Sequence, residues 1–204
     1  MIGDGFASVS LTTAAFAVAL VLVVANLSAI VASAVGVADL WPPGERGWYF
    51  YAHWGLSQVV NVALFALAIG DWGSLGLPIP VVAAGGILFI GGMAAALAAG
   101  YDLGVSETSG LEGDLRTGGW YRYSRNPQYV AYVVATVGFA VVANSVLVAA
   151  VCLPLFGWWL ALPLAEEPWL REQYGRAYER YAEQTPRFVG RKTFRELAGS
   201  RSSV

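Results

Sequence analysis

Two polar clusters flank an apolar hairpin in the second half of this chain. The first holds Gly119, Tyr121, Arg125, Asn126, Pro127 and Tyr129; the second holds Glu166, Glu167, Tyr174, Tyr178, Tyr181 and Arg187. Between them lie two apolar runs, 129–142 and 146–164, parted by Asn144-Ser145. If this hairpin enters a bilayer and returns, both clusters meet on one membrane face, and Arg125, Asn126, Glu166, Glu167 and Arg187 can share a site. Carboxylates near membrane depth are costly, so they pair or do work. Such a pair suits a ligand with hydroxyls, an amine or a fixed positive charge. An arginine beside a helix N-terminus suits a carboxylate or another anion. The combination points to chemistry on a charged cofactor at the membrane surface rather than to a transport pore.

Each of these residues also has a plainer use. Asn126 and Pro127 fit an N-cap followed by the first residue of a helix, where the missing proline N–H costs nothing. That leaves Arg125, beside Tyr121, Tyr123 and Tyr129, without a purely local role. Of the two adjacent carboxylates, Glu167 can favour the N-terminus of a following helix opened by Pro168, which leaves Glu166 to turn toward the Arg125 loop. Arg187, taken alone, reads as solvated or touching lipid head groups. His53, the only histidine, stands among aromatics and reads as structural. Cys152 lies in an apolar run and reads as a small hydrophobe. No His/Cys/Asp/Glu set has metal-ligand spacing, no serine sits in a nucleophile elbow, and no glycine loop follows a strand as phosphate binding requires.

The elements that must position these residues are membrane helices. Of 204 residues, 57% are hydrophobic and 13% charged, with a mean hydropathy of +0.57. Soluble domains carry about 25% charged residues. A net charge of −2 leaves no footprint for nucleic acid. A spanning helix needs roughly 20 mostly apolar residues. Segments 11–38, 49–69 and 81–99 meet that length, and with the hairpin they predict an all-α polytopic protein of about five transmembrane helices, the last two a tight hairpin. Trp48, Tyr49, Phe50, Tyr51 and Trp54 mark a membrane interface. Gly85, Gly86, Gly91 and Gly92 make the third span a close-packing surface or a surface for a cofactor to lie against. From Pro168 onward, Leu170, Tyr174, Tyr178 and Tyr181 recur at helical spacing with charges between them, which predicts an amphipathic C-terminal helix along the cytoplasmic membrane face.

Five spans also satisfy the positive-inside rule. With the N-terminus outside, all 12 Lys and Arg residues fall on the cytoplasmic side, together with the C-terminus, whereas the outer loop at Asp71 has none. The expected location is a bacterial cell membrane. The chain reads as one integral-membrane domain, 1–204: three spans over 1–100, a cofactor-binding region over 101–190, and a basic, flexible tail over 191–204.

The spacing of the polar residues resembles the superfamily of isoprenylcysteine carboxyl methyltransferases and phosphatidylethanolamine N-methyltransferases. Gly119, Tyr121, Arg125, Asn126, Pro127 and Tyr129 match its first motif, and Glu166, Glu167, Tyr174, Gly175, Tyr178, Tyr181, Pro186 and Arg187 match its second, over about the last 40% of the chain. The resemblance implies S-adenosylmethionine bound at the cytoplasmic ends of the last helices, with an acceptor arriving from the bilayer. It implies that Arg125, Asn126 and Pro127 line the cofactor pocket with Tyr121, Tyr129 and Tyr178. It gives Glu166 and Glu167 the cofactor's amino or ribose groups, and positional analogy adds Tyr101 and Leu103. Glu166 and Arg187 are the expected catalytic residues, with Glu166 or a tyrosine as proton acceptor and Arg187 as the group orienting an anionic acceptor. Many relatives have His where this chain has Asn126, and asparagine can only hydrogen-bond, so a histidine base at that position is lost here.

The expected partners are membrane lipids and a hydrophobic methyl acceptor, with no nucleic acid. Prenylated carboxylates, phospholipid amines, isoprenoid-like lipids and small thiols all fit a bilayer-facing opening, and the oligomeric state stays open. Two other classes compete: an NADPH-dependent reductase of the sterol-reductase type, which is usually larger, and a non-catalytic lipid-binding membrane protein.

Overall fold

The computed structural model describes residues 2–199, with side chains over 11–195. It is all-helical. Its longer helices are α1 (Ile2–Ala34), α2 (Trp48–Gly70), α3 (Ile79–Leu103) and, after a four-residue α4 (Val105–Thr108) and a 3-10 turn (Gly119–Arg122), the pair α5 (Pro127–Val142) and α6 (Val146–Tyr174). Two short helices, α7 (Arg176–Gln184) and α8 (Arg191–Gly199), close the described chain.

Among the described residues, four helices are long and apolar enough to cross a membrane: Leu11–Ala34, Trp48–Gly70, Ile79–Leu103 and Val146–Tyr174. The fifth apolar helix, α5, has 16 residues, about 24 Å at 1.5 Å per residue, short of a hydrocarbon core of roughly 30 Å. Large apolar side chains point outward along this bundle, including Ile69 at 82% and Ile87 at 74% exposure. That outer apolar belt is what lipid requires and what water would penalise.

Hydrogen bonds sort the connections into two end layers. At one end, the α2–α3 turn is stitched to the α5–α6 turn. Gly73 and Leu75 N–H donate to the Asn144 carbonyl at 2.9 and 3.2 Å, Leu77 N–H donates to Asn144 Oδ1 at 2.9 Å, and Ser145 Oγ donates to Asp71 at 2.6 Å. Asn144 adopts a positive φ of 47°, which an asparagine tolerates better than most residues. At the other end lie the α1–α2 loop, the segment after α3, the start of α5 and the end of α6. Gly44 N–H donates to the Gly110 carbonyl at 3.0 Å, and Arg125 N–H to the Pro186 carbonyl at 2.9 Å. Short as it is, α5 therefore runs between the same two end layers as its neighbours.

Lipid removes the aqueous driving force between membrane helices, so close van der Waals fit holds them together. The glycines of α3 supply it. A Cβ on Gly92 would lie 2.6 Å from the Ala135 nitrogen of α5, and one on Gly85 would lie 2.6 Å from Val141. These two glycines pack helix on helix. Helix α2 packs instead on α1 and α6, so α2 and α3, consecutive in sequence, stand apart and leave a gap between them.

Two local expectations are corrected. Pro168 does not begin a new helix: α6 passes through Pro154, Pro163 and Pro168 and ends at Gly175, whose φ of +51° favours glycine. A membrane-protein helix tolerates interior prolines where neighbours re-satisfy the freed backbone groups. The amphipathic sequence is thus split between the end of α6 and α7. The segment read as a flexible tail includes α8, tied down by Thr193 Oγ1 donating to the Tyr123 carbonyl at 2.6 Å; its last residues, 200–204, lie outside the described residues.

Candidate active site

Adjacent residues on an α-helix are separated by about 100°, so Glu166 and Glu167 leave α6 in different directions. Glu167 is 2% exposed and receives three arginines. Arg125 Nη2 donates to it at 2.8 Å, Arg171 Nη2 at 3.3 Å, and Arg187 grips it with Nε and Nη2, both at 2.7 Å. A buried carboxylate needs such partners to stay charged. The sequence reading assigned Glu167 to a helix N-terminus and Glu166 to the Arg125 loop; the helical phase reverses this, because α6 continues and turns Glu167 toward that loop.

The arginine loop and the C-terminal segment are bound together around this cluster. Arg125 Nη1 donates to the Ala182 carbonyl at 2.9 Å. Ser124 Oγ and Asn126 Nδ2 both donate to the Arg187 carbonyl, at 3.2 and 2.9 Å. Asn126 stands at the N-cap position of α5, but its side chain makes no cap hydrogen bond. The Arg187 carbonyl recruits the amide instead. Arg187 has a raised pKa because it hydrogen-bonds Glu167, so it remains a cation while it holds the carboxylate.

Glu166 faces the other way, into a cleft of about 770 Å³ including its open mouth, within the ~300–1,000 Å³ of small-molecule sites. Its Oε1 accepts from Trp41 Nε1 at 2.9 Å and from the Tyr129 hydroxyl. No described residue bonds Oε2. The cleft also exposes Arg125, Asn126, Gln128 and Arg116, with Leu103, Leu111 and Leu115 as apolar surface. Arg125 Nε is buried without a partner; an unpaired donor of this kind is costly and fits an anionic or hydroxyl-bearing ligand.

Tyr121, Tyr178 and Tyr181 form the cleft floor with Leu103 and Leu170 packed against them. Burial raises the Tyr121 pKa, helped by the Glu166 charge. Burial, then the charge of Glu167, pushes Tyr178 up to about 12, and burial raises Tyr181 as well. At neutral pH all three stay protonated and act as donors, as Tyr181 does to the Tyr121 carbonyl at 2.6 Å. They are poor proton acceptors, and Glu166 is the carboxylate that the cleft presents.

Of the residues singled out from sequence, Leu103, Tyr121, Arg125, Asn126, Tyr129, Glu166 and Tyr178 line one cleft. Pro127 is buried as the first residue of α5 and faces a separate groove. Tyr101 is 88% exposed and points away. Glu167 and Arg187 stand behind the cleft wall as a clamp. Residues 80–177 match the phospholipid methyltransferase family. That segment is similar to the methyltransferase superfamily whose motifs the polar residues resemble. The matched segment runs from α3 into α7 and carries the whole cleft except the residues given by the α1–α2 loop and α7 beyond it. No curated protein and no solved structure matches the chain.

Trp41 was not legible as a site residue. It lies 125 positions from Glu166, in a loop outside the family segment. Gln128 and Thr108 also escaped notice. Both line the cleft and a second cavity, and only a buried glutamine beside the Asn126-Pro127 motif hinted at either.

Proposed function

We propose that this protein transfers a methyl group from S-adenosylmethionine to a hydrophobic acceptor that reaches the site from the bilayer. The observation that carries the reading is the place of Glu166, at the boundary between the polar cleft and a mostly apolar chamber inside the bundle. Tyr129 lines both spaces and donates to Glu166.

S-adenosylmethionine supplies an electrophilic methyl group on a positively charged sulfur. In this reading Arg125 offers its unpaired Nε to the cofactor's carboxylate, and Asn126 adds a polar edge to the same wall. Glu166 places negative charge toward the cofactor's cationic groups through Oε2 while Trp41 and Tyr129 fix Oε1. The leucines of the cleft take the adenine. Methyl transfer is an in-line displacement, so alignment of donor and acceptor supplies most of the acceleration, and water exclusion by the chamber protects it. Glu166 is also the group positioned to receive a proton from an acceptor that must lose one. Arg187 acts here as a positioning residue through Glu167, rather than on the acceptor.

Topology supports a cytoplasmic site. Every Arg and Lys from Arg46 to Arg195 belongs to segments at the cleft end, whereas the α2–α3 turn at the opposite end has none. The positive-inside rule then puts the cleft and the C-terminus in the cytoplasm and the N-terminus outside, with α5 as a fifth, short crossing.

Calorimetry on the detergent-purified protein tests the reading. S-adenosylhomocysteine should bind in the micromolar range, and Arg125→Ala should abolish binding. NADPH binding in its place would move the protein to the reductases, and binding of neither would end the catalytic reading.

A further inference from the structure

The gap between α2 and α3 opens a chamber of about 1600 Å³, its mouth included. It adjoins the cleft at Thr108, Gln128 and Tyr129, which line both spaces. Its walls are aromatic faces: Tyr132 stacks on Trp159 with centroids 4.6 Å apart, and Phe139 meets both Phe65 and Phe89. No Asp, Glu, Lys or Arg lines it among the described residues.

Polar groups are nevertheless present, and two lack partners. Four tryptophans line the chamber, and three have bonded indoles. Trp41 donates to Glu166, Trp54 to the Ser109 carbonyl, and Trp159 to Thr136 at 3.0 Å. Trp158, 4% exposed, has a buried Nε1 with no partner. Beside it, with ring centroids 5.6 Å apart, stands His53, also 4% exposed. Its Nδ1 is buried and unpartnered, and no described residue hydrogen-bonds its ring. A buried donor without a partner is costly, and the bilayer supplies no water to relieve it. His53 also touches the chemistry indirectly, since its ring lies 4.5 Å from that of Trp41, which holds Glu166.

Resting on the reading of the cleft as the cofactor's, we propose that this chamber takes an uncharged, ring-containing acceptor whose oxygen is held by Trp158 and His53. An indole N–H can only donate, so the ligand must offer an acceptor lone pair. A hydroxyl or carbonyl oxygen does so, and the imidazole can answer a hydroxyl as donor or acceptor. A phospholipid head group or a prenylcysteine carboxylate would bring charge into a chamber that has no counter-ion for it. Gln58 and Asn61, bonded to each other at 3.0 Å on α2, line the chamber on its α2 side and present polar edges to a passing oxygen.

The probes are 2-naphthol and naphthalene, matched in shape and different by one hydroxyl, measured by equilibrium dialysis against the full-length protein with S-adenosylhomocysteine present. The wild type should prefer 2-naphthol. Trp158→Phe and His53→Phe should each weaken 2-naphthol binding about 3- to 10-fold, the worth of one hydrogen bond, and leave naphthalene unchanged. Retained S-adenosylhomocysteine binding certifies the fold of each variant. Equal binding of the two probes, or a preference that survives in both variants, overturns the assignment. So does displacement of 2-naphthol by dioleoylphosphatidylethanolamine or farnesylcysteine at equal concentration. Loss of S-adenosylhomocysteine binding in the wild type would sink the methyltransferase reading alone, because 2-naphthol binding is measurable without it.

Discussion

Glu166 and Glu167 are joined by one peptide bond and serve opposite sides of α6. Glu167 is closed off by Arg125, Arg171 and Arg187, whereas Glu166 presents an oxygen to the cleft. Substitution should separate the two. Glu167→Gln removes the counter-ion of the largely buried Arg125, while Arg171 and Arg187 stay partly solvated, and should destabilise the protein by about 3 kcal/mol, seen as a lowered melting temperature in detergent. Glu166→Gln should melt near the wild type and bind the cofactor poorly. A Glu167→Gln protein that melts with the wild type would show that the clamp is dispensable.

The charge on the cofactor's sulfur gives a sharper test of Glu166. S-adenosylmethionine carries a sulfonium and S-adenosylhomocysteine a neutral thioether. If the carboxylate acts on the sulfonium, Glu166→Gln should weaken the first by about tenfold more than the second, a difference of about 1.4 kcal/mol. Equal losses in paired titrations would assign Glu166 to the amino or ribose group instead.

Arg125 has a geometric as well as an electrostatic duty. Its Nη1 and Nη2 are committed to Ala182 and Glu167, which leaves Nε for a ligand. Lysine keeps the charge, but its donors share one nitrogen and cannot span the separate positions that the planar guanidinium reaches. Arg125→Lys should therefore lose about tenfold or more in S-adenosylhomocysteine affinity; wild-type affinity in calorimetry would reduce Arg125 to a generic cation.

The α3–α5 contact predicts a contrast between neighbouring glycines. A Cβ on Gly92 meets the α5 backbone within 3 Å at Ala135, while one on Gly91 meets nothing within 4 Å. Gly92→Ala should cost about 1–3 kcal/mol through forced separation of the helices, and Gly91→Ala should be near neutral. Thermal melts of the two variants decide it, and equal behaviour would refute the close approach.

Asp71 predicts a pH dependence at the opposite end. Partial burial works to raise its pKa, but hydrogen bonds from Ser145, Ser74 and the Leu147 N–H outweigh it and hold the value below the ordinary 3.8. A carboxylate depressed in the folded state stabilises fully above its unfolded value, and that contribution is lost as pH falls through the folded one. The wild type should thus outlast Asp71→Asn at neutral pH, and the gap should close only below about pH 4. A gap that persists unchanged to pH 2 would exclude this linkage.

What the sequence determined by itself follows from local physics. Long apolar runs dictate helices in lipid, because every backbone group must be satisfied within the segment. The Asn126-Pro127 start and the Asn144-Ser145 turn carry their backbone preferences with them, and the spacing of the polar motifs carries the resemblance to the methyltransferases. The tertiary structure alone decided the rest. Whether α6 continued past Pro168 depended on its surroundings, and that continuity fixed which glutamate met the arginines. Trp41 reached Glu166 because the α1–α2 loop folds over the end of α6, a contact no local pattern encodes. His53 looked like one more interfacial aromatic until the separation of α2 from α3 left it beside Trp158 with no partner. Backbone preferences act over a few residues; the pairing of buried polar groups is set by helices brought together from across the chain.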